Sequence, residues 1–237
     1  MSAPPAKPFT FVLVPGASGR AWDWHRLVPL LQALGHAAVP VDLPAADDAA
    51  GLPEYAGAVM RAIGERDPQR IVLVAHSMGG FTAPLVCRQV PVASLVLLNA
   101  MIPAPGETPG QWWAGTRQAE ARRAAAARAG RDPEAPFDPL VEFFHDVPQP
   151  VIDAAWALGE PRQSDTVFAS PCDFTRWPAA STRVLVGEDD RFFPPDFQRR
   201  VALERLGIVA EGMPGGHMLA LSQPMELAAR LTRQLPP

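Results

Sequence analysis

The sequence predicts an α/β protein built on a doubly wound, mostly parallel β-sheet. Short apolar runs recur along the 237-residue chain, and near-continuous apolarity is typical of strands covered on both faces. Helix-like stretches separate these runs, so strand and helix alternate as a parallel sheet with crossover helices requires. One interruption, residues 101–178, predicts an insertion into a core formed by residues 1–100 and 179–237.

The alternation assigns six strands and five helices in chain order. The predicted strands are Phe9–Val14, Ala37–Val41, Ile71–Ala75, Leu95–Leu98, Arg183–Val186 and Ile208–Ala210. The predicted helices between and after them are Trp24–Leu34, Pro53–Glu65, Met78–Val90, Pro195–Leu206 and Pro224–Gln234.

The insertion concentrates Pro, Gly, Ala, Arg and most of the tryptophans without a clear strand signal. An Ala- and Arg-rich stretch predicts a helix over Trp112–Ala129 that Gly130 ends, and shorter helices are expected over Asp138–His145 and Gln149–Leu158. This stretch contains four arginines, Arg117, Arg122, Arg123 and Arg128. They could bind anionic ligands, but a helix face exposed to solvent is the favoured interpretation.

Composition disfavours several classes of function. The 21 basic and 25 acidic residues give a net charge of −4 without a long basic cluster, which disfavours binding to nucleic acid or an anionic membrane surface. No apolar run reaches the roughly 18 residues of a membrane span, and no secretory leader is recognisable. Two cysteines, Cys87 and Cys172, cannot form a disulfide framework or a structural zinc site. We expect one soluble, cytoplasmic domain with free thiols, a monomer or homodimer, disordered only over residues 1–8.

The strongest local signal is Ala75-His76-Ser77-Met78-Gly79, which follows a buried strand and opens a helix. A serine in such a turn is held in a strained backbone conformation, and small residues two positions away let the strand and helix approach each other. Its hydroxyl then stands above the sheet edge at a helix N-terminus. Ser77 is therefore the candidate nucleophile, and the backbone N–H of Met78 is a candidate donor to a developing oxyanion.

A serine nucleophile needs a base, and the base needs an orienting carboxylate. Of the five histidines, only His217 lies in a glycine-containing loop between the last predicted strand and the final helix. His76 is expected to point away from the serine, because adjacent residues in a tight turn diverge. His217 is therefore the candidate base, although an isolated loop histidine is more often a surface residue.

A loop with three carboxylates follows the strand Arg183–Val186. Asp190 is the first choice for the orienting acid, and Asp189 is the alternative. Asn99, after the strand Leu95–Leu98, stands at another position for such a group, but an amide cannot stabilise an imidazolium as a carboxylate does.

A second oxyanion donor is expected from the loop after the first strand, and the backbone N–H of Ala17 is the candidate. A glycine-rich loop at this place could instead bind a dinucleotide. The segment Gly16–Gly19 lacks the G-x-G-x-x-G spacing, however, and Trp22 and Trp24 would crowd a pyrophosphate. We therefore expect no cofactor and no metal.

The sequence resembles the α/β-hydrolases, and more narrowly the group of plant methylesterases and hydroxynitrile lyases with its bacterial esterase relatives. The chain order Ser77, Asp190, His217 is the order of that fold. The resemblance covers nearly the whole chain outside the insertion. It rests on the segments Val14–Ala17, Ala21–Trp24, Leu27–Leu31, Gly35–His36, Val41–Leu43, Ala75–Gly80, Asp190, Pro195–Gln198 and Gly216–Met218.

The resemblance implies a role for each candidate residue. Ser77 matches the family nucleophile and His217 the base. Asp190 matches the acid, and the family acid stands five residues before a Pro-x-Phe-Gln segment, which favours it over its neighbour Asp189. Ala17 and Met78 match the two oxyanion donors.

Four positions depart from patterns found in the family. Pro15 replaces the usual His of a His-Gly pair, and Ala75 replaces the first glycine of the elbow. Plant-type lyases carry a Thr at the position of Gly16 and a Lys after the catalytic His, where this chain has Met218. A site without that lysine suits acyl transfer, so the resemblance implies a serine hydrolase that cleaves a small carboxylic ester.

Two other functions are compatible with the same residues. A lyase could use the same serine and histidine as a proton relay for carbon–carbon cleavage. A ligand receptor could keep the hydrolase fold with little turnover. These alternatives differ from the ester hydrolase in whether an acyl-enzyme forms.

The resemblance also implies that residues 101–178 form a helical cap over the core. Aromatic side chains of this cap could line an apolar acyl or alcohol pocket, and burial between cap and core is an equal alternative for each. These side chains are Trp112, Trp113, Phe143, Phe144, Trp156 and Phe168.

Overall fold

The computed structural model describes residues 8–235. The segment predicted to be disordered, residues 1–8, lies outside the described residues except for Pro8. Among the described residues, no helix combines the length and apolarity needed to cross a membrane.

Six strands form one parallel sheet within the described chain, in the order β2-β1-β3-β4-β5-β6. All five neighbouring pairs are parallel, which places the carboxyl ends of the strands along a single edge. The strands are β1 (Thr10–Val14), β2 (Ala37–Pro40), β3 (Ile71–His76), β4 (Ser94–Leu98), β5 (Ser181–Gly187) and β6 (Glu211–Met213).

The predicted position of the last strand is wrong. Residues Ile208–Ala210 connect the preceding helix to the sheet, and β6 begins one residue later, at Glu211. Gly207 ends that helix with a left-handed φ of 66°, and Val209 is 83% exposed. The apolar run is therefore a surface connection, and the paired residues start where Glu211 lies opposite Leu185 of β5.

Eleven α-helices lie among residues 8–235. Six of them flank the sheet: α1 (Val28–Ala33), α2 (Leu52–Ile63), α3 (Gly79–Cys87), α9 (Pro195–Leu206), α10 (Leu219–Ser222) and α11 (Pro224–Thr232). The other five lie between β4 and β5: α4 (Pro109–Thr116), α5 (Gln118–Arg128), α6 (Pro139–Glu142), α7 (Gln149–Ala157) and α8 (Thr166–Ala169). Where one helix was predicted from Trp24, a short 3₁₀ helix, Ala21–Trp24, precedes α1.

The strands send alternate side chains into two apolar layers, as their period of two requires. On one face, Val12 and Val14 of β1 join a core that α2, α3 and α9 cover. On the other face, Phe11 and Leu13 join a core covered by α1 and α11. Both faces of the sheet are therefore buried, which explains why the strands read as continuous apolar runs.

The single helix predicted over Trp112–Ala129 is wrong, because it breaks at Arg117. This residue has left-handed backbone angles, φ 58° and ψ 41°, and it separates α4 from α5. The break lets Trp112 pack into the core while α5, which is rich in Ala and Arg, lies across the surface. A Thr108–Gln111 capping box begins α4.

Arginines of α5 and its start are neutralised by nearby carboxylates. Each lies within 4.0 Å of an acidic side chain, and most of these pairs are exposed, as on a solvated helix face. The pairs are Arg117–Glu120, Arg122–Glu142, Arg123–Glu134 and Arg128–Asp196.

A close backbone contact fixes α3 against the chain after β4. A Cβ atom added at Gly80 would overlap the carbonyl oxygen of Met101, which is backbone and cannot rotate away. We expect Gly80→Ala to lower the free energy of unfolding by about 1–3 kcal/mol through overpacking, measured by urea denaturation.

The matched control is Gly57→Ala in the interior of α2. There the nearest atom to an added Cβ is the flexible end of Arg61, at 3.4 Å. Helix propensity predicts a gain of up to about 1 kcal/mol for this change. Equal effects of the two substitutions would contradict the close contact at Gly80.

Candidate active site

Ser77 stands at the carboxyl end of β3, in the turn that leads into α3. Its φ is 49°, a left-handed conformation that a side chain adopts only under constraint. Its N–H donates to the carbonyl of Leu98 (3.2 Å), and its own carbonyl accepts from the N–H of Met101 (2.9 Å). These contacts with β4 and the residues after it hold the strained turn.

Small residues make this turn possible. A Cβ atom at Gly16 would lie 2.8 Å from the Cβ of Ser77, and one at Gly79 would lie 2.7 Å from the carbonyl oxygen of Pro15. Both distances are shorter than Cβ contacts tolerate. The loop after β1 can therefore approach the serine only because these two positions lack side chains.

His217 and Asp190 complete a hydrogen-bonded chain with Ser77. The Nε2 atom of His217 lies 3.1 Å from the Oγ of Ser77, and its Nδ1 atom lies 2.8 Å from the Oδ2 of Asp190. The side chains of His217 and Asp190 are 2% and 0% exposed. With Nδ1–H donating to the carboxylate, Nε2 is left to accept the serine proton.

Backbone amides hold the Asp190 carboxylate in place. Its Oδ1 accepts from the N–H groups of Phe192 (2.9 Å) and Phe193 (2.8 Å), and its Oδ2 also lies 3.2 Å from the Nε2 of Gln198. The neighbouring Asp189 instead accepts from the N–H of Gly215 (3.1 Å). Of the two predicted acids, Asp190 is the one that reaches the imidazole.

Asn99 orients the base, a function that the sequence analysis missed. Its Nδ2 donates to the carbonyl oxygens of Gly216 and His217, both at 3.0 Å, and its Oδ1 accepts from the N–H of Gly187 (2.7 Å). Its left-handed φ of 43° is one that Asn tolerates well. The sequence feature that could have indicated this role is a polar residue directly after the buried strand β4.

Within the described residues, the His76 side chain has no hydrogen bond to Ser77, and it packs against His217 inside the site. Its Nε2–H donates to the carbonyl of His217 (3.0 Å), and the two imidazole rings are 4.9 Å apart. Burial, with a smaller contribution from His217, lowers the pKa of His76 to about 3. His76 is therefore a neutral donor that fixes the backbone of the candidate base.

The two predicted oxyanion donors flank Ser77. Ala17 lines the cavity above the serine, and Met78 directly follows the serine at the start of α3. Within residues 8–235, neither backbone N–H has a hydrogen-bond acceptor. Both are thus available to an oxygen bound at Ser77.

A cavity of about 610 Å³ opens above Ser77 and His217. Three of the predicted aromatic residues, Phe143, Phe144 and Trp156, line it, and the Phe143 ring stacks on His217 with centroids 5.0 Å apart. Trp22 and Phe137 also line the cavity, a position that the sequence did not predict for them. This lining is mainly aromatic and apolar.

Trp112, Trp113 and Phe168 do not line the cavity, which corrects the prediction for these three residues. Trp112 is fully buried, packs on Phe193, and donates its indole N–H to the carbonyl of Ile102 (3.1 Å). Trp113 and Phe168 pack against the same apolar core. Burial between cap and core is the role of all three.

No cluster of three or more His, Cys, Asp or Glu side chains in the described chain is placed to hold a metal ion. Cys87 and Cys172 are buried free thiols, and burial raises the pKa of Cys87 to about 12.

Comparison with known proteins places this geometry in a family. The profile described as "Alpha/beta hydrolase family" matches residues 11–230. The chain belongs to this family. The predicted resemblance is thereby confirmed, including its plant esterase and methylesterase relatives.

Several relatives of this α/β-hydrolase are named esterases. The probable esterase PIR7A of Oryza sativa is 38% identical over 110 residues, and the match spans 42% of this chain and 42% of the rice protein. The chain thus spans under half the length of that curated relative. Polyneuridine aldehyde esterase of Rauvolfia serpentina is 26% identical over 92% of each chain.

Solved structures share the fold. The crystal structure of polyneuridine aldehyde esterase matches with a TM-score of 0.76 at 23% identity, covering 96% of this chain and 99% of that one. A pyrethroid hydrolase from Sphingobium faniae matches with a TM-score of 0.71, also at 23% identity, covering 96% and 97%. At this identity the likeness concerns the α/β-hydrolase fold alone.

In this α/β-hydrolase, the segment between β4 and β5 forms hydrogen bonds with the two loops that contain Asp190 and His217. Asp146 accepts the N–H of Gly216 at 2.7 Å, one residue before His217. His145 lies directly before it, with its Nε2 3.0 Å from the carbonyl oxygen of Asp189. The segment between β4 and β5 therefore positions His217 as well as covering it.

We expect Asp146→Ala to loosen the loop before His217. Loss of this charge-assisted hydrogen bond should speed amide hydrogen exchange at Gly216 by about tenfold, whereas Asp146→Asn, which keeps an acceptor oxygen, should restore most of the protection. Exchange would be followed by NMR.

The control is Asp153→Ala on α7, which removes a carboxylate that bonds only to the exposed Gln149. Unchanged exchange at Gly216 in Asp146→Ala would show that the hydrogen bond does not hold the loop.

The buried neutral His76 predicts acid sensitivity. Its pKa is about 3 in the folded protein, below its ordinary value of 6.5. Between these two values, His76 is protonated in the unfolded chain and neutral in the native state. The stability is complete above pH 6.5 and declines as pH falls toward 3. His76→Gln should flatten this decline, measured as the free energy of unfolding against pH. Parallel pH profiles for both proteins would refute the assignment.

Proposed function

We propose that this protein is a serine carboxylic-ester hydrolase. The observation that carries the proposal is the hydrogen-bonded chain from Asp190 through His217 to Ser77, which ends in the aromatic-lined cavity. A serine with this partner can lose its proton to the imidazole as it attacks a carbonyl. Similarity to proteins named esterases supports the same class of reaction.

In the first half-reaction, the Oγ of Ser77 bonds to the carbonyl carbon of the ester while its proton passes to the Nε2 of His217. The carbonyl electron pair moves onto oxygen, which faces the N–H groups of Ala17 and Met78. The bond from carbon to the alcohol oxygen then breaks, and the alcohol leaves with the proton from Nε2. An acyl group remains on Ser77.

In the second half-reaction, water takes the place of the alcohol. His217 accepts one water proton as the hydroxide oxygen bonds to the acyl carbon, and the bond to the Oγ of Ser77 breaks as the proton returns to that oxygen. The net change is ester plus water to acid plus alcohol. Throughout, Asp190 keeps the proton on Nδ1 and offsets the charge of the imidazolium.

The cavity supports a small, largely apolar ester. Its volume of about 610 Å³ lies in the range of small-molecule sites. Phe143 lines it and stacks on His217, and Phe144 lines it in contact with the half-exposed Trp156. Met218, which follows His217, places a thioether rather than a cation beside the imidazole.

Ser77→Ala should lower kcat/KM for p-nitrophenyl acetate by roughly 10³-fold or more, because the nucleophile is lost. His217→Ala should cost a similar factor. The matched control is Ser94→Ala at the amino end of β4, and this variant should keep its activity. Among residues 8–235, the Ser94 hydroxyl bonds only to the carbonyl of Ser181, far along the strand from Ser77. Retained hydrolysis in Ser77→Ala, above the rate without protein, would contradict the proposal.

Trapping of the acyl group separates the hydrolase from the lyase and receptor alternatives. Acid quenching during turnover of p-nitrophenyl acetate, followed by mass spectrometry, should place one acetyl group on Ser77. A carbon–carbon lyase would not require an acyl-enzyme to convert its natural substrate. A receptor that binds its ligand without turnover would not require one either. Turnover with an unmodified Ser77 under rapid quenching would therefore count against the acyl-enzyme route.

A further inference from the structure

Asp23 places a carboxyl group in the wall of the same cavity, on the 3₁₀ helix Ala21–Trp24. Its two neighbours are tryptophans with different positions: Trp22 also lines the cavity, whereas Trp24 is buried beneath, with its ring edge toward His76. The turn thus presents a charged side chain between two aromatic ones. The proposed hydrolysis makes no use of this carboxyl group.

Within the described chain, the Asp23 carboxylate has neither a hydrogen bond nor an ion pair within 4.0 Å. The contrast with nearby groups is clear. Asp42 accepts from the N–H of Ala21 (2.7 Å), and Arg20 donates to the carbonyl of Gly159 (2.9 Å). The Asp23 side chain is partly exposed and lines the cavity, so its carboxylate is open to a hydrogen-bond donor or a positive group of a bound ligand.

Charges of both signs lie around Asp23. Asp42 lies near enough to repel it electrostatically, and Glu160 adds a carboxylate to the rim of the cavity. Arg20, which also lines the cavity, acts on Asp23 more strongly than Asp42 does and in the opposite direction, but its guanidinium donates to the carbonyl of Gly159 and forms no ion pair with Asp23 among the described residues. Burial, the largest cause, raises the pKa of Asp23 to about 7, so the group gains its charge as pH rises through neutrality.

The remaining titratable groups in the cavity are His76 and His217. His76 stays neutral because of its burial. The Nδ1 atom of His217 bonds to Asp190, whose carboxylate offsets a positive charge on this imidazole. His76 therefore does not neutralise Asp23, and the charge of His217 is compensated by Asp190.

Aromatic side chains supply a second feature that suits a cation. Trp22, Phe137, Phe144 and Trp156 line the cavity together with Asp23. Ammonium groups, quaternary ones above all, are attracted to the faces of such rings, most strongly where water is excluded. One carboxylate among several aromatic rings is a combination that favours ammonium over a neutral group of equal size.

We propose that the cavity selects esters that carry an ammonium group, which lies against Asp23 and the aromatic wall while the ester carbonyl meets Ser77. This inference rests on the proposed ester hydrolysis and names its substrate class. The ammonium group lies on the acyl or the alcohol side of the ester, according to which end of the substrate extends toward Asp23.

Two pairs of esters of equal shape test the charge alone. The acyl pair is the p-nitrophenyl ester of 4-(trimethylammonio)butanoic acid and that of 5,5-dimethylhexanoic acid. The alcohol pair is acetylcholine and 3,3-dimethylbutyl acetate. The measured quantity is the ratio of kcat/KM for the cationic ester to that for the neutral one, corrected for the rates of hydroxide hydrolysis. Effects of pH on the reacting groups that are common to both members cancel in this ratio.

At pH 8, we expect the ratio to exceed about 10 for at least one pair, and to fall as pH is lowered through about 7 and Asp23 is protonated. Asp23→Asn should bring the ratio close to one at every pH. The matched charge control is Glu160→Gln on the exposed rim, where solvent screens the carboxylate, and its ratio should change by less than about twofold.

The outcomes separate this inference from the proposed function. Hydrolysis of the neutral esters that depends on Ser77, with ratios near one in the unmodified protein, would overturn the ammonium proposal and leave ester hydrolysis standing. A preference that survives Asp23→Asn, or that Glu160→Gln removes, would overturn the assignment to Asp23. Absence of any hydrolysis that depends on Ser77 would instead refute the proposed function.

Binding to Ser77→Ala provides a readout without turnover. Titration calorimetry with the intact acetylcholine and dimethylbutyl acetate, and with the acyl pair as their ethyl esters, should show tighter binding of the cationic member in at least one pair. The added Asp23→Asn change should remove that difference. Equal binding of both members in both pairs would overturn the proposal even if the single variant Asp23→Asn fails to fold.

Discussion

The left-handed turn at Ser77 is the constraint on which the rest of the site depends. A side chain at φ 49° costs free energy, and surrounding contacts have to maintain it. Three close approaches meet at this turn: the loop after β1 at Gly16 and Gly79, and the chain after β4 at Gly80. In the sheet, β3 lies between β1 and β4. The loop after β1 and the chain after β4 therefore lie on either side of Ser77. Contacts from the ends of β1 and β4 thus maintain the strained conformation of Ser77.

The same sheet edge determines where the base can lie. The carbonyl of His217 is held by two donors from different strands, the Nε2 of His76 at the end of β3 and the Nδ2 of Asn99 after β4. Neither donor touches the reacting nitrogen. They position the backbone, so that the imidazole spans the gap between Ser77 and Asp190 without relying on its own loop, which contains two glycines.

The sequence predicted much of the architecture because its signals were local. The first five strands contained apolar runs, and α9 began and ended at the predicted Pro195 and Leu206. Ser77, His217 and Asp190 could be found because each follows a strand in a fixed chain order, and the structure brings them together.

What the sequence could not predict depended on contacts between distant residues. The roles of Asn99 and His76 require knowledge of which carbonyl faces them, and both bond to a residue more than 115 positions away. Trp112 and Phe143 look alike as cap aromatics, yet the break at Arg117 turns the first into the core, whereas Phe143 stacks on His217. The start of β6 was missed because apolar character at residues 208–210 says nothing about pairing register.

The grip of Asp146 on the loop before His217 has a consequence for redesign. The segment between β4 and β5 could be taken for an interchangeable lid, since it leaves and re-enters the core between two neighbouring strands. Here the cap residues His145 and Asp146 are part of the framework that holds the base. A chimera that grafts a foreign cap between β4 and β5 would need to transplant this dipeptide, in register, along with the new specificity.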